Sequence, residues 1–273
     1  MNILKKICKT IVNILLVLIF VTPFYWMFLT AFKTISQTIQ MPPLFYVLDP
    51  QWSNFSQVFE KIPLLHMFKN SVIISAGILL CQAITVIPAA YAFARYKFAG
   101  SKVLFGLTLI TMMIPSQLIF LPVYLLLSKL GLINTYASMI LPSACSAFAI
   151  FMLRQTFMQI PEELVEAARL DKASELKIML KIMLPIARPT VTTLALLTFI
   201  SSWNDYFWPL VLTTNDTVRT LPLGISMLKA VDGAVMPYHI IMAGNVLLVI
   251  PIIIAFICAQ KQIIQAFTYV GEK

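Results

Sequence analysis

Four adjacent side chains, Trp203, Asn204, Asp205 and Tyr206, could together bind a sugar within the stretch SSWNDYFWP. Aromatic faces can stack on sugar rings, and the neighbouring amide and carboxylate can form hydrogen bonds with hydroxyl groups. Asp205 is the one acidic residue that falls within a predicted apolar span, where a charge is costly and is usually functional or paired. Alternatively, these aromatic residues form a belt at a membrane–water interface, and both interpretations can hold together.

The residue types that usually perform catalysis or bind metals are scattered along the chain. The four cysteines and two histidines lie far apart, with no CxxC pair and no metal-ligand spacing. The chain also lacks the G-x-x-x-x-G-K-[ST] loop that binds nucleotide phosphates, so we do not expect it to hydrolyse ATP by itself. We therefore expect no metal, no disulfide, no cofactor bound by this chain and no enzymatic activity.

Charge is concentrated in the segment 161–189, PEELVEAARLDKASELKIMLKIMLPIARP, of a chain that is otherwise highly apolar. Pro161 suits the first turn of a helix, and the two glutamates after it suit the positive end of that helix. Glu166 can pair with Arg169 three residues further on. This first helix has charged and small residues and no large apolar face, which suits docking into a groove of a soluble partner. A solvated loop with incidental helix is the alternative.

A second short helix is predicted to follow in the same segment. Asp171 suits its N-cap, and Pro185 is expected to end it. Lys177 and Lys181 share its polar side, which is typical of a helix that lies against anionic lipid headgroups. Its apolar stripe, at helical spacing, consists of Leu176, Met179, Leu180, Met183 and Leu184.

The composition indicates an integral membrane protein. Hydrophobic residues make up 60% of the 273 residues and charged residues only 11%, with a mean hydropathy of +0.89. A soluble domain carries about 25% charged residues, so this chain cannot cover a water-facing surface. The formal net charge of +9 is therefore attributed to membrane topology and lipid contact, and no nucleic-acid partner is expected.

The chain is predicted to be all-α, with one transmembrane domain over residues 1–273 and six spans. Each span has about the 20 mostly apolar residues that a membrane-crossing helix needs. Prolines in or at the ends of these spans favour kinked helices around a pathway, because the carbonyls that proline frees need neighbours or a water-filled cavity. The spans are approximately 11–32, 69–93, 103–127, 137–157, 190–212 and 239–259, and the prolines are Pro23, Pro88, Pro115, Pro122, Pro142, Pro209 and Pro251.

The basic residues predict the orientation, because lysine and arginine concentrate in cytoplasmic loops. With the N-terminus inside, six of the 20 basic residues lie outside and fourteen lie inside. The six are Lys33, Lys61, Lys69, Lys129, Arg219 and Lys229. Both termini and the segment 158–189 are therefore predicted to be cytoplasmic, in a multi-pass protein of the inner or plasma membrane. The longer external loops are 33–68 and 213–238, and neither is long enough to form a ligand-binding domain.

One sequence pattern resembles a known family. The stretch EAARLDKASELKIMLKIMLP is similar to the EAA loop of ABC-importer permeases, in which EAA is followed by a glycine and then by a hydrophobic stretch that ends in LP. Other stretches look like the MalG-type branch, which imports carbohydrates in bacteria, and the resemblance covers nearly the whole chain. They are FKNSV (68–72), YAFARYKFAG (91–100), residues 114–142, SWNDYFWPL (202–210) and PLGI (222–225).

The resemblance implies a type I importer permease, in which the loop 158–189 forms a coupling helix that docks in a cleft of a cytoplasmic ATPase subunit. ATP would close the ATPase dimer, and the docked helices would pass that motion to the spans, giving alternating access. The residues expected to couple to the ATPase are Glu162, Glu163, Glu166, Ala167, Ala168, Asp171, Lys172, Leu184 and Pro185.

The same resemblance implies the partners and the cargo. The partners are a second, different permease subunit, two ATPase subunits that hold ATP and magnesium, and an extracellular solute-binding protein that the loop 213–238 would contact. The cargo implied is a sugar, of di- or oligosaccharide size. Alternatives are a permease of the same class for glycerol phosphate or a polyamine, which would show cavity bases or cavity acids respectively. A secondary transporter would show inverted repeats and ion-coupling acids, and a membrane enzyme would show clustered catalytic residues.

Two features depart from the family pattern. Lys172 stands where the family usually has glycine, so the turn has either an ordinary φ or a strained one. The tail QAFTYVGEK lacks the basic, glycine-rich ending that is common in relatives.

Overall fold

The computed structural model describes residues 3–230 and 236–268, and the regular structure within these two ranges is entirely helical. This confirms the all-α prediction for the described residues. The helices are α1 (Ile3–Ala31), α2 (Ile35–Ile39), α3 (Ser53–Lys61), α4 (Leu64–Arg95), α5 (Ser101–Thr111), α6 (Phe120–Lys129), α7 (Tyr136–Ile140), α8 (Ala147–Gln159), α9 (Glu162–Leu170), α10 (Glu175–Ile178), α11 (Leu184–Ile186), α12 (Arg188–Trp203), α13 (Phe207–Leu212), α14 (Leu221–Met227) and α15 (Tyr238–Thr268).

Three single helices are long and apolar enough to cross a membrane, within the described part of the chain. They are Lys5–Ala31, Leu64–Arg95 and Tyr238–Ile264. Three further helix pairs have the required length and composition together, but they are bent: Ser101–Thr111 with Ser116–Lys129 by 95°, Tyr136–Ser143 with Ala147–Gln159 by 45°, and Glu175–Ile186 with Arg188–Trp203 by 84°. Counting each bent pair as one span gives up to six spans, so the six-span prediction stays a prediction.

Three of the predicted spans are not continuous helices, which corrects the sequence prediction. The predicted span 103–127 breaks before Pro115, which has an extended ψ of 130°, and the span 137–157 breaks after a short 3₁₀ turn that contains Pro142. The span 190–212 breaks at residues 204–206, and Pro209 in the first turn of α13 cannot donate a helical hydrogen bond to the Asp205 carbonyl. There the Asp205 carboxylate accepts a hydrogen bond from the Trp208 N–H at 3.3 Å, and a short acidic side chain that bonds to the local backbone competes with helix.

The described residues of 1–67 and 221–251 form one compact unit. Asn54 ties its loops together, because the side-chain amide donates to the carbonyls of Ala31 and Lys33 at 2.9 and 2.8 Å. The Lys33 ammonium is buried, donates to the Leu44 carbonyl at 2.6 Å and lies 4.3 Å from the centre of the Trp26 ring. These contacts fix the segment that follows α1.

The described residues of 68–220 and 252–268 form the second compact unit. Its largest core contains residues of α4, α8, α12 and the charged segment 161–189. The charged segment enters this core through Val165, Ile178 and Met183, which are almost fully buried. The predicted apolar stripe of the second short helix is therefore divided: Met179 and Met183 pack inside the protein, whereas Leu176 is 62% exposed.

Two arginines join α4 to α8. The Arg95 guanidinium, at the last residue of α4, donates to the carbonyls of Phe157 and Ile160 at 2.8 and 2.5 Å. In return, Arg154 of α8 donates to the Phe93 carbonyl at 3.1 Å. Carbonyls at the C-terminal end of a helix lack partners within the helix. Arg95 of α4 therefore donates to carbonyls at the end of α8, and Arg154 of α8 donates to a carbonyl at the end of α4.

Candidate functional site

The first short helix of the charged segment is present as α9, Glu162–Leu170, and begins directly after Pro161 as predicted. Glu162 and Glu163 lie in its first turn. Val165 anchors the helix in the core and is only 1% exposed, while Ala168 packs against the same core. One side of α9 is thus fixed to the protein, which leaves the other side available to a partner.

The free side of α9 includes the alanine and glutamate of the sequence motif and a leucine that the sequence analysis did not select. Glu166 and Ala167 are exposed, and Leu170 is 85% exposed. Residues three and four apart share a helix face, so Ala167 and Leu170 lie together with Glu163 and Glu166 nearby. This face combines a small residue, a large apolar residue and acids, which suits close contact with another protein.

Lys172 adopts a left-handed conformation, with φ at 57°. It ends α9 in a Schellman motif, in which the Lys172 N–H donates to the Arg169 carbonyl at 2.9 Å and the Ala173 N–H donates to the Ala168 carbonyl at 3.0 Å. The strained alternative for this turn is therefore the correct one. Glycine avoids the steric cost of this conformation, whereas lysine bears it.

Two local predictions for the charged segment are wrong. Asp171 is the C-cap of α9, and Ser174 is the N-cap of α10, where its hydroxyl accepts the Lys177 N–H at 3.3 Å. Arg169 pairs with Glu175 at 2.9 Å, not with Glu166. The tight turn at Lys172 explains both differences, because it brings residues after the turn back towards the end of α9.

The Glu175 carboxylate connects three helices. It accepts hydrogen bonds from Arg169 of α9 at 2.9 Å and from the Tyr91 hydroxyl of α4 at 2.5 Å, while Glu175 itself begins α10. These two donors, Arg169 first, hold the pKa of the Glu175 carboxyl at about 2, below its usual value of 4.5. Contact between the end of α9 and α4 therefore depends on an ionised carboxylate.

Leu184 and Pro185 lie next to the bend between the charged segment and α12. The helix is π-type over Met179–Met183, where the Leu184 N–H donates to the Met179 carbonyl, and it stops at Ala187, whose ψ is 6°. A new helix begins at Arg188 with Pro189 in its first turn, where the missing N–H costs nothing. The two prolines thus frame the 84° bend.

A polar cavity of about 510 Å³ lies within the second compact unit. The three helix breaks lie at Pro115, at Pro142 and at residues 204–206, and residues next to each break line the cavity. In a membrane protein, non-helical backbone is tolerated where it lines a water-filled cavity. The lining residues are Ile78, Gln82, Ser116, Gln117, Ser143, Ser146, Phe148, Leu197, Thr198, Ser201, Ser202, Asp205, Phe207 and Trp208.

Of the four residues first selected as a sugar site, Asp205 lines this cavity and the other three do not. Trp203 is 1% exposed and packs edge-on against Phe68, with ring centres 5.5 Å apart, so it has no free face for a sugar ring. The Asn204 amide donates to the Ile200 carbonyl, and Tyr206 is exposed outside the cavity. Helix geometry separates these side chains although they adjoin in sequence.

Apart from Asp205, the polar lining residues were missed by the sequence analysis. Gln82 is central among them, since its amide donates to the Ser143 carbonyl at 2.9 Å and accepts from the Thr198 hydroxyl at 3.0 Å. This links α4, α12 and the break near Pro142. The sequence does contain a signal for two of these residues. Ser116 and Ser143 each follow a proline within an apolar span, where a polar side chain needs water or a polar neighbour.

Two asparagines hold the loop after α13. The Asn134 side chain accepts the Thr214 N–H at 2.7 Å, and the Asn70 amide donates to the carbonyls of Thr217 and Arg219 at 3.1 and 2.9 Å. The Asn70 carbonyl in turn accepts the Tyr136 hydroxyl at 2.6 Å. The first part of the predicted external loop 213–238 is therefore ordered, while residues 231–235 of that loop lie outside the described residues, as do residues 269–273 of the tail.

Comparison with known proteins gives consistent results. The family model described as the inner membrane component of binding-protein-dependent transport systems matches residues 86–269. The arabinooligosaccharides transport system permease protein AraQ of Halalkalibacterium halodurans is 38% identical over 231 residues, which cover 83% of this chain and 82% of that protein. The sn-glycerol-3-phosphate transport system permease protein UgpE of Agrobacterium fabrum is 30% identical over 267 residues, which cover 94% and 95% of the two chains.

A solved structure shows the same fold. A chain of a bacterial ABC transporter involved in the import of the acidic polysaccharide alginate superposes with a TM-score of 0.83 over 94% of this chain and 96% of that chain, at 24% identity. A chain of a bacterial alginate ABC transporter in complex with a periplasmic protein that binds an alginate pentasaccharide gives a TM-score of 0.65 at 16% identity, and covers 93% of each chain.

Proposed function

Because this chain belongs to the family of binding-protein-dependent transport system inner membrane components, we propose that it is the permease subunit of an ATP-driven importer that carries a sugar into the cell. The observation that carries this proposal is α9, which has one side anchored by Val165 and the other exposed at Ala167 and Leu170. The exposed side is the docking surface for an ATPase subunit. The sugar assignment is supported by the similarity to AraQ and by the hydroxyl-lined cavity.

The proposed assembly follows the division of labour in ABC importers. This chain pairs with a second, different permease subunit, two cytoplasmic ATPase subunits bind and hydrolyse ATP with magnesium, and an extracellular binding protein delivers the sugar. The segment 158–189 and both termini are placed in the cytoplasm, and the loop 213–238 outside, in line with the distribution of basic residues. The chain has no catalytic role of its own in this scheme.

The contacts around Glu175 suggest how docking moves the transport pathway. A shift of α9 pulls on Glu175 through Arg169, and Glu175 pulls on α4 through Tyr91. Gln82 lies nine residues before Tyr91 on the same continuous helix, about 14 Å away along its axis, and lines the cavity. One helix therefore connects the ATPase side of the molecule to the sugar pathway, as alternating access requires.

A bulky substitution on the docking face tests the proposal. We expect Ala167→Trp to abolish ATP-dependent sugar uptake and to prevent stimulation of the ATPase by the loaded binding protein, because the added ring stops α9 from approaching its partner. The measurement is uptake and ATP hydrolysis by the assembled importer in proteoliposomes, with membrane insertion checked by immunoblot.

Ala99→Trp is the matched control for this experiment, since Ala99 is exposed in another loop that is predicted to lie on the same side. Normal uptake by Ala99→Trp and loss of uptake by Ala167→Trp support the docking role. Undiminished uptake by Ala167→Trp would refute it.

A second cargo has a specific observation in its favour, which is the similarity to UgpE, a glycerol-phosphate permease, over 94% of this chain. Glycerol phosphate is an anion, whereas arabino-oligosaccharides, which the name of AraQ gives as its cargo, are neutral. The charge of the cavity distinguishes the two.

A further inference from the structure

On the basis of the proposed function, we infer that the cavity next to Asp205 admits uncharged polyhydroxylated solutes, such as neutral oligosaccharides, and rejects solutes that carry phosphate or carboxylate groups. Within the described part of the chain, Asp205 is the one ionisable residue among the residues that line the cavity. A cleft lined by charge of a single sign concentrates ions of opposite sign and repels ions of the same sign.

The neutral lining suits a sugar. Hydroxyl and amide side chains can donate and accept hydrogen bonds with sugar hydroxyls, and aromatic side chains provide apolar faces. The hydroxyl residues are Ser116, Ser143, Ser146, Thr198, Ser201 and Ser202, the amides are Gln82 and Gln117, and the aromatic residues are Phe148, Phe207 and Trp208. The volume of about 510 Å³ falls in the range of about 300–1,000 Å³ that is typical of small-molecule sites.

No basic side chain is present among the described residues that line the cavity, so an anion would find no cation to pair with there. Desolvated phosphates and carboxylates are held by arginine, lysine or free helix N-termini. Three helix N-termini adjoin the cavity, and two of them have a side-chain cap: Ser146 accepts the Ala149 N–H of α8 at 3.2 Å, and Asp205 accepts the Trp208 N–H of α13 at 3.3 Å. The third begins the four-residue 3₁₀ turn Ser116–Ile119, which has no side-chain cap. The cap on α13 is itself an acid, so it adds to the repulsion.

The position of Asp205 is well defined, because the hydrogen bond to Trp208 holds the carboxylate at the start of α13. Ser201 lies four residues earlier, and Ser202 lies three residues earlier on the last turn of α12. Both serines line the same cavity. A probe attached at Ser201 therefore senses the charge of Asp205 directly.

Thiol modification measures this charge without depending on which solute the binding protein delivers. The four native cysteines are first replaced by alanine, and Ser201→Cys is introduced into the full-length chain within the assembled importer in membranes. The rates at which this cysteine reacts with a cationic and an anionic methanethiosulfonate of similar size are measured. The ratio of the two rates is normalised by dividing it by the ratio that the same two reagents give with 2-mercaptoethanol, a free thiol in solution. We expect the normalised ratio to favour the cationic reagent by about tenfold or more.

Asp205→Asn in the same background is the matched variant, since asparagine can still cap α13 but carries no charge. We expect it to bring the normalised ratio close to one. The inference would be overturned by a ratio near one before this substitution or by an unchanged ratio after it. It would also be overturned if neither reagent reacted, because the cavity would then be closed to water-borne solutes.

Uptake by the unmodified assembled importer separates this inference from the proposed function. ATP-dependent uptake of a linear arabino-oligosaccharide, with no uptake of sn-glycerol-3-phosphate or an oligouronate, is the expected pattern. ATP-dependent uptake of either anion would overturn the charge selection while leaving the permease function intact. If no probe is taken up and the thiol ratio is nonetheless as expected, it is the sugar-import proposal that fails.

Discussion

The hydroxyl of Tyr91 donates a hydrogen bond of 2.5 Å to the carboxylate of Glu175. Tyr91 lies near the end of the long helix α4, and Glu175 begins the short helix α10, 84 residues further along the chain. Arg169 of α9 binds the same carboxylate. One side chain thus connects the proposed ATPase-docking helix to a helix that lines the cavity, and this makes it the natural place to test coupling.

Replacement of Glu175 by glutamine is expected to uncouple ATP hydrolysis from transport. Glutamine retains the shape of the side chain but removes the charge that holds Arg169, so the motion of α9 is passed less effectively to α4. We expect sugar uptake to fall several-fold relative to ATP hydrolysis in proteoliposomes. Equal reductions of uptake and ATP hydrolysis would show that Glu175 acts on docking or folding alone.

The same carboxylate predicts a pH dependence of stability. Its pKa is about 2 in the folded protein, below the usual 4.5, so ionised Glu175 stabilises the fold above about pH 4.5, and this stabilisation is lost as the pH falls towards 2. We expect the difference in melting temperature between the wild type and Glu175→Gln to be constant from pH 6 to 8 and to shrink on acidification. The effect should be modest and weakened by salt, because the side chain is 42% exposed. A difference that grows on acidification contradicts the prediction.

The left-handed Lys172 predicts a stabilising substitution. Lys172→Gly should raise the free energy of unfolding by about 0.5–1 kcal/mol, because glycine removes the steric cost of a positive φ and this gain exceeds the added flexibility of the unfolded chain. Asp171→Gly is the control, since its φ of −74° is open to any residue, and it should lower stability. Chemical unfolding in detergent measures both, and a destabilised Lys172→Gly would show that the lysine side chain makes a contribution larger than the strain.

Arg95 predicts a large loss of stability at one end of α8. Arg95→Ala removes the donors to the Phe157 and Ile160 carbonyls, and this should cost about 1–3 kcal/mol because the Ile160 carbonyl loses its arginine donor and the Phe157 carbonyl keeps only the Ile160 N–H at 3.3 Å. Arg188→Ala removes the same side chain at an exposed position and should have little effect. Thermal unfolding in detergent compares the two, and similar losses would argue that the carbonyl bonds are not the cause.

Much of the fold followed from patterns that are local in sequence. Long apolar runs predicted the apolar parts of α1, α4 and α15, although α1 begins eight residues before the predicted span and α15 ends nine residues after it. A proline followed by glutamates predicted the start of α9. These features depend on residues within one or two helical turns of each other. Local steric and hydrogen-bonding preferences therefore decide them.

The predictions that failed concern relationships between distant residues. Arg169 could be paired with Glu166 by helix spacing, but its partner Glu175 is accessible only after the turn at Lys172 has formed. Likewise, Trp203 and Asp205 adjoin in sequence, but Trp203 points into the core and Asp205 lines the cavity. Spacing alone cannot predict such contacts.

The sequence by itself determined that this is a helical membrane protein, because composition and local periodicity are enough for that, and its resemblance to the EAA loop identified the motif around Glu166. Only the tertiary structure decided which polar residues meet. The cavity joins Gln82, Ser143 and Thr198 from separate parts of the chain, and its charge comes from Asp205 at the break between α12 and α13. The physical reason is that each break leaves backbone and polar groups that a single apolar helix cannot satisfy, so packing brings the breaks together around shared polar space.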